Sequence, residues 1–249
     1  MRRILGNASG MAVGTMLSRL TGIARDMALI ASIGTGVFAD TYSVANSIPN
    51  IIYILVAGGA INAVFVPALV RHMADDEDGG DAFIDRLFTV IGMALIGIAA
   101  LAVVGAGLLV RLYATSSWSA QDLHVATVFA NWCLPQIFFY GAYTLISQVL
   151  NARDVFVAPM FAPIANNLVV IVTCLAFLSL SGHIANTSTT ADTAINVLGA
   201  GTTFGVVIQA ALLIPALRAT GYRFTVRTDL RGSGLRKVGD LAAWTMGFV

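Results

Sequence analysis

Arg19 and Arg25 stand six residues apart in Ser18-Arg19-Leu20-Thr21-Gly22-Ile23-Ala24-Arg25-Asp26, within an otherwise apolar stretch. A guanidinium is permanently charged and presents a planar fork of donors, so such a pair suits an oxyanion such as a phosphate. Near the middle of a bilayer each would cost about 2.5–3.5 kcal/mol on insertion scales, which makes an intramembrane arginine a functional-site hypothesis. Asp26 is the single acid beside them. Positive charge is left over, and burying it uncompensated is expensive. An anionic ligand or a water-filled cavity would compensate it. The structural alternative is that Arg25 pairs with Asp26 or snorkels outward while Arg19 caps carbonyls of a neighbouring helix.

The next apolar segment carries Asn46, Pro49, Asn50 and Tyr53. Asn46 and Asn50 are four apart and share a helical face with Tyr53; they either hydrogen-bond to neighbouring helices or line a cavity. Pro49 lacks an N–H and leaves a carbonyl unpaired one turn earlier, so a kink is predicted, and broken helices in transporters line cavities.

Little else offers chemistry. His72, His124 and His183 are scattered without metal-type companions, and Cys133 and Cys174 lie in apolar stretches as expected buried free thiols. Lys237 is the only lysine and sits in no Gly-rich phosphate loop. No cofactor, metal, nucleic acid or catalytic centre is expected. The acidic run from Asp75 to Asp81 lacks the spacing of a calcium loop and reads as a solvated linker; Arg153 and Asp154 read as a local pair.

The elements that must position the arginines are membrane spans. With 57% hydrophobic and 11% charged residues and a mean hydropathy of +0.83, the chain has too little polar surface to coat a soluble globule. At about 20 apolar residues per crossing, spans are predicted over 9–33, 41–70, 87–111, 124–150, 156–181 and 194–217, with a seventh beginning near 238. The fold class is all-α: a polytopic transmembrane bundle, with a six-helix lobe over residues 1–234 and the start of a seventh helix, cut off at Val249, over 235–249. The first span is too long and too charged for a signal peptide.

Basic residues fix its direction. Arg2, Arg3, Arg71, Arg86, Arg153, Arg218, Arg223, Arg227, Arg231, Arg236 and Lys237 fall on one side and only Arg111 on the other, which puts the N-terminus in the cytoplasm. The cluster from Arg218 to Lys237 reads as an orientation signal facing anionic lipid. Arg19 and Arg25 are the two basic residues that topology does not explain. Six residues at about 100° each place their side chains roughly 120° apart on a straight helix, and Gly22 offers a place to bend.

Three stretches carry a family resemblance: Leu17 to Asp26; Ala39-Asp40-Thr41-Tyr42-Ser43-Val44-Ala45-Asn46-Ser47-Ile48-Pro49-Asn50; and Gly58-Gly59-Ala60-Ile61-Asn62-Ala63-Val64-Phe65-Val66-Pro67. In order and spacing they resemble the opening of the MurJ (MviN) lipid II flippases. Gln148 to Phe156, followed by Ala162-Pro163 and Asn166-Asn167, resembles that family's turn before the fifth helix. The resemblance implies an exporter-superfamily fold of two six-helix lobes around a cationic cavity, of which this chain is the first. It implies a bacterial inner-membrane protein that carries the undecaprenyl-pyrophosphate-linked peptidoglycan precursor outward by alternating access. Arg19 and Arg25 would serve the diphosphate, Asp40 would be functionally important, and a second lobe would complete the cavity; the lobe alone is expected to be inactive. A drug or other saccharide exporter on the same scaffold, or a non-transporting membrane scaffold, are the rivals. The chain departs from the family at Ile51-Ile52-Tyr53-Ile54, where many members carry two leucines and two arginines, and at Gly58, where many carry glutamate.

Overall fold

The computed structural model describes residues 2–55, 66–183, 188–227 and 229. Gly58, Gly59, Asn62, the basic residues Arg231, Arg236 and Lys237, and the expected seventh helix at 235–249 lie outside the described residues. The described chain forms α1 (Arg2–Ile33), α2 (Val37–Tyr53), α3 (Val66–Asp75), α4 (Asp81–Val104), α5 (Ala106–Tyr113), α6 (Ala120–Cys133), α7 (Gln136–Ala152), α8 (Val157–His183), α9 (Ser188–Ala211) and α10 (Leu213–Ala219). The described helices lie along the six predicted spans: α1 in the first, α2 and α3 in the second, whose residues 56–65 lie outside the described residues, α4 and α5 in the third, α6 and α7 in the fourth, α8 in the fifth, and α9 and α10 in the sixth.

Most of the helix breaks have local causes. Pro135 has no N–H for the Asn131 carbonyl, and the chain tightens at Leu134–Pro135, where Ile137 and Phe138 donate to Leu134 and Pro135 at 3.1 and 3.2 Å. Pro215 withholds a donor from the Ala211 carbonyl, where α9 stops. Pro49 and Pro163 do not end their helices. At Pro49 the disturbance comes one turn later, where Ile54 donates to both Asn50 and Ile51 and the helix widens into a π turn at 54–55.

Among the described residues three helices are long and apolar enough to cross a membrane, over Asp81–Val104, Val157–Leu180 and Ile195–Ala219. The break at Leu134–Pro135 leaves α6 and α7 at 14 and 17 residues, each below the about 20 of a usual crossing. The polar content of α1, including Arg19, Arg25 and Asp26, lowers its hydropathy.

Packing does not follow chain order. α1 lies along α8 and scarcely meets α2; α8 packs on α9, α9 and α2 on α6, and α4 on α7. Small residues permit the close approaches. A Cβ at Gly14 would lie 2.9 Å from the Phe161 ring, and one at Gly201 would lie 2.3 Å from Thr173. Phe129, Ile48, Leu134, Ile137 and Leu150 fill the centre, with Phe38 and Tyr42 edge-on to Phe129. Met16, Leu20, Ile23 and Met27 of α1 and Leu101 and Val104 of α4 are exposed.

Two sequence expectations are corrected by these contacts. Arg153 does not pair with Asp154: it reaches Asp81 at the start of α4 and donates to Thr220 at 3.1 Å, while Asp154 adopts φ 61° in the turn and is exposed. The acidic run is exposed from Asp75 to Asp78, as expected of a solvated linker, and its carboxylates also make surface contacts. Asp76 meets His72 at 2.9 Å, Asp78 accepts from Gly80 and Ala82 at 3.0 and 2.9 Å, and Asp81 holds Arg153. The two backbone donors hold the Asp78 carboxyl below the usual carboxylate range, Ala82 contributing most. Finally, the third span begins before Leu87, so Asp85 belongs to α4 and is buried.

Candidate functional site

Arg25 projects from α1 towards α8, the flank along which the two helices pack. Its Nε and Nη2 donate to one oxygen of Asp26, Oδ1, at 3.0 and 2.8 Å. Nη1 donates to Oδ1 of Asn167 at 3.3 Å. Asn167 is 5% exposed, and its Nδ2 donates back to the Ser18 carbonyl at 3.2 Å and to Thr21 Oγ1 at 3.0 Å. Both ends of the amide are thus engaged by α1, which turns the carbonyl end towards the cation.

The Arg25 side chain keeps 33% of its surface uncovered and Asp26 keeps 60%. The ion pair is therefore open along one side. Arg19 is exposed and, among the described residues, has no ion-pair or hydrogen-bond partner. With two cations and one carboxylate the group carries a net charge of +1, two positive charges less one negative. α1 runs unbroken through Gly22, whose added Cβ would meet the Asn167 amide at 3.7 Å. The six-residue spacing puts Arg25 on the α8 flank and leaves Arg19 off it. This arrangement can offer charged N–H donors to an oxyanion while Asn167 and Asp26 hold one guanidinium in place.

The remaining sequence-predicted residues are not gathered around the arginines by any direct bond. Asp40 is exposed in the first turn of α2, where the helix dipole favours an acid. Asn46 is half-buried with an unbonded Oδ1, Asn50 is exposed and Pro49 is buried. Tyr53 is buried and donates to Thr144 Oγ1 at 2.8 Å, tying α2 to α7.

In the sequence Asn167 figures only in the family resemblance, with no link to Arg25. A usable signal was present: Arg25 needed a second acceptor, and Asn167 follows Pro163 by four residues in a span with few polar groups. Asp85 was also missed. It accepts from Tyr222 Oη at 2.6 Å and the Thr225 N–H at 3.1 Å, and lies 3.3 Å from Arg227 Nε.

Fold and site together define a polytopic α-helical membrane protein with a cationic first helix. The family described as lipid II flippase MurJ matches residues 29–249. The chain belongs to the MurJ lipid II flippase family. It is 34% identical to the lipid II flippase MurJ of Burkholderia cenocepacia over 155 residues, covering 61% of this chain and 30% of that one. It is 26% identical to a probable lipid II flippase MurJ of Synechocystis over 245 residues, covering 95% of this chain and 44% of the relative. The fold is similar to a solved structure of "Lipid II flippase MurJ, inward closed conformation", with a TM-score of 0.70 at 18% identity, over 95% of this chain and 46% of the other. The chain thus spans less than half the length of each of these proteins.

Proposed function

We propose that this chain forms one lobe of a flippase that moves an undecaprenyl-pyrophosphate-linked peptidoglycan precursor from the inner to the outer leaflet of the bacterial inner membrane, with its N-terminus in the cytoplasm. The observation that carries this reading is the asymmetry of the two arginines. Arg25 is held by Asp26 and Asn167 yet open on one side, and Arg19 has no partner among the described residues. An intramembrane cation left unneutralised by its own protein is explained by an anionic cargo, and a diphosphate matches the guanidinium fork. Family membership supplies the class of cargo.

In this reading Arg19 and Arg25 attract the diphosphate, and Asp40 acts with them at the binding site. Asp26 tempers the charge of Arg25, and the α2 face of Asn46, Pro49, Asn50 and Tyr53 takes part in gating. A second transmembrane lobe completes the cavity. No bond of the cargo is made or broken, so the protein is a transporter and not an enzyme. Outward movement needs differential affinity or a driving force such as the membrane potential, worth about 2.3 kcal/mol per elementary charge per 100 mV.

The test is Arg19→Glu in the complete two-lobe flippase in a precursor-translocation assay, with membrane insertion measured alongside. Loss of translocation at normal insertion supports the reading; undiminished translocation overturns it.

A further inference from the structure

A groove of about 740 Å³ opens on the flank of the lobe away from α1, within the size range of about 300–1,000 Å³ typical of ligand sites. Its wall is apolar: Leu95 of α4, Phe138 and Ile146 of α7, and Ile214 of α10 stand along it. Gly92 widens it, since a Cβ there would have only the Phe138 ring as a neighbour, at 4.0 Å. None of the lining residues comes from α1, α2 or α8, so the groove is separate from the Arg19 and Arg25 site.

One end is different. There the lining passes to Arg218 in the last turn of α10 and to Tyr222, Arg223 and Phe224 in the segment that folds back from α10 onto the start of α4. Phe88 packs against both aromatic rings, at 6.1 Å from Tyr222 and 6.2 Å from Phe224. The other arginines of this end are engaged: Arg153 with Asp81, Arg227 with Asp85 and Arg86 with Asp229. Arg218 and Arg223 are exposed and, among the described residues, have no ion-pair partner. An apolar trough thus ends in two guanidinium groups with no ion-pair partner among the described residues, beside an aromatic pair, the arrangement expected where hydrocarbon gives way to headgroups.

We propose that this groove holds an anionic phospholipid of the surrounding bilayer, one acyl chain lying along Leu95, Phe138 and Ile146 and the phosphate meeting Arg218 and Arg223. The charge selects the headgroup, because a zwitterionic lipid offers the same chain without net attraction. The length of the apolar wall selects a lipid over a soluble phosphate. The bound lipid belongs to the bilayer and is not the transported cargo, since the arginines of α1 take no part in the groove.

The test is native mass spectrometry of the purified full chain released from micelles that contain phosphatidylglycerol or phosphatidylcholine of matched acyl chains. The expected result is a one-to-one phosphatidylglycerol adduct retained well above the phosphatidylcholine adduct. R218Q/R223Q, at exposed positions that packing does not constrain, lowers phosphatidylglycerol retention about five-fold per arginine, towards the phosphatidylcholine level. Gly92→Leu fills the trough and lowers retention of both lipids at unchanged helix content. Equal retention of the two lipids by the unmodified chain overturns the proposal, as does undiminished phosphatidylglycerol retention in R218Q/R223Q. Displacement of the lipid by soluble glycerol phosphate alone also overturns it, by showing a simple anion site. Arg25→Glu leaves the adduct intact; its loss there would assign the lipid to the cargo site instead.

Discussion

Asn167 of α8 meets Arg25 of α1 side chain to side chain, its Oδ1 accepting from Nη1 at 3.3 Å while its Nδ2 donates to Thr21 and the Ser18 carbonyl. The amide cannot flip without losing contacts at both ends, so α8 sets where the first-helix cation points. Asn167→Ala removes the acceptor and frees the guanidinium. A hydrogen bond to a charged group is worth about 1.5–3 kcal/mol, so precursor translocation should fall roughly ten-fold or more while membrane insertion is unchanged. Asn167→Asp should fall further, because a second carboxylate cancels the +1 charge of the group. A translocation assay at matched expression checks both; wild-type activity in both variants would remove Arg25 positioning from the mechanism.

At the opposite flank the segment after α10 is fastened to α4. Tyr222 donates to Asp85 at 2.6 Å, and the Thr225 and Arg227 amides donate to Asp85 and Thr89 at 3.1 and 3.2 Å. Burial, and then the Asp85 carboxylate that accepts its proton, push the Tyr222 hydroxyl upward, so it remains the donor throughout the physiological range. Tyr222→Phe removes one charge-assisted hydrogen bond without opening a cavity. The expected cost is about 1.5–3 kcal/mol, read as a lower melting temperature in detergent. Faster amide exchange confined to 222–227 would show that the fastening itself has loosened.

Gly201 of α9 is a place where α8 and α9 pack closely. An added Cβ would lie 2.3 Å from both Cγ2 and Oγ1 of Thr173 and 2.8 Å from its Cβ. The Thr173 hydroxyl is committed to the Val169 carbonyl at 2.8 Å, so the side chain cannot simply rotate away. Gly201→Ala should destabilise the lobe by about 1–3 kcal/mol, the range for overpacking. Thr173→Ala in the same chain removes the two shortest contacts and should restore part of the loss. A thermal-melting comparison of the single and double variants decides it, and an equal loss in both would place the strain elsewhere.

What could be read from the sequence followed from effects that act over short stretches. Hydropathy marked the apolar helices because a crossing is a continuous apolar run, and Arg19 and Arg25 stood out because charge in such a run is costly. The Arg25 and Asp26 pair was legible as a neighbour contact. Contacts between distant residues were not. Asp81 lies 72 residues from Arg153, and Asp85 lies 137 from Tyr222; local reading gave Arg153 to Asp154 instead. Asn167 is 142 residues from Arg25 and became relevant only when α1 was found against α8 instead of α2. Pro49 was legible as a kink, yet only the packed chain shows that α2 runs on through Pro49 while α6 ends before Pro135.

The start of α6 supplies a titration test. Ser119 Oγ accepts from the Asp122 N–H at 3.2 Å, and the Asp122 carboxylate accepts from the Ser119 hydroxyl and N–H at 2.7 and 2.8 Å, a reciprocal cap. The hydroxyl, then the backbone N–H, hold the Asp122 carboxyl below the usual carboxylate range. A carboxyl depressed in the folded state adds stability above its ordinary value of about 3.9, and loses it as the pH falls through the lower folded value. Amide protection in the first turn of α6 should therefore fade on acidification in the unmodified chain. In Asp122→Asn it should be weaker at neutral pH and flat across that window. Ser119→Ala removes the hydroxyl that lowers the carboxyl most, so the Asp122 titration should move back up towards 3.9. Carboxyl chemical shifts against pH measure that movement directly, and an unshifted midpoint would mean that the backbone N–H and the helix dipole, not the serine hydroxyl, hold the acid down.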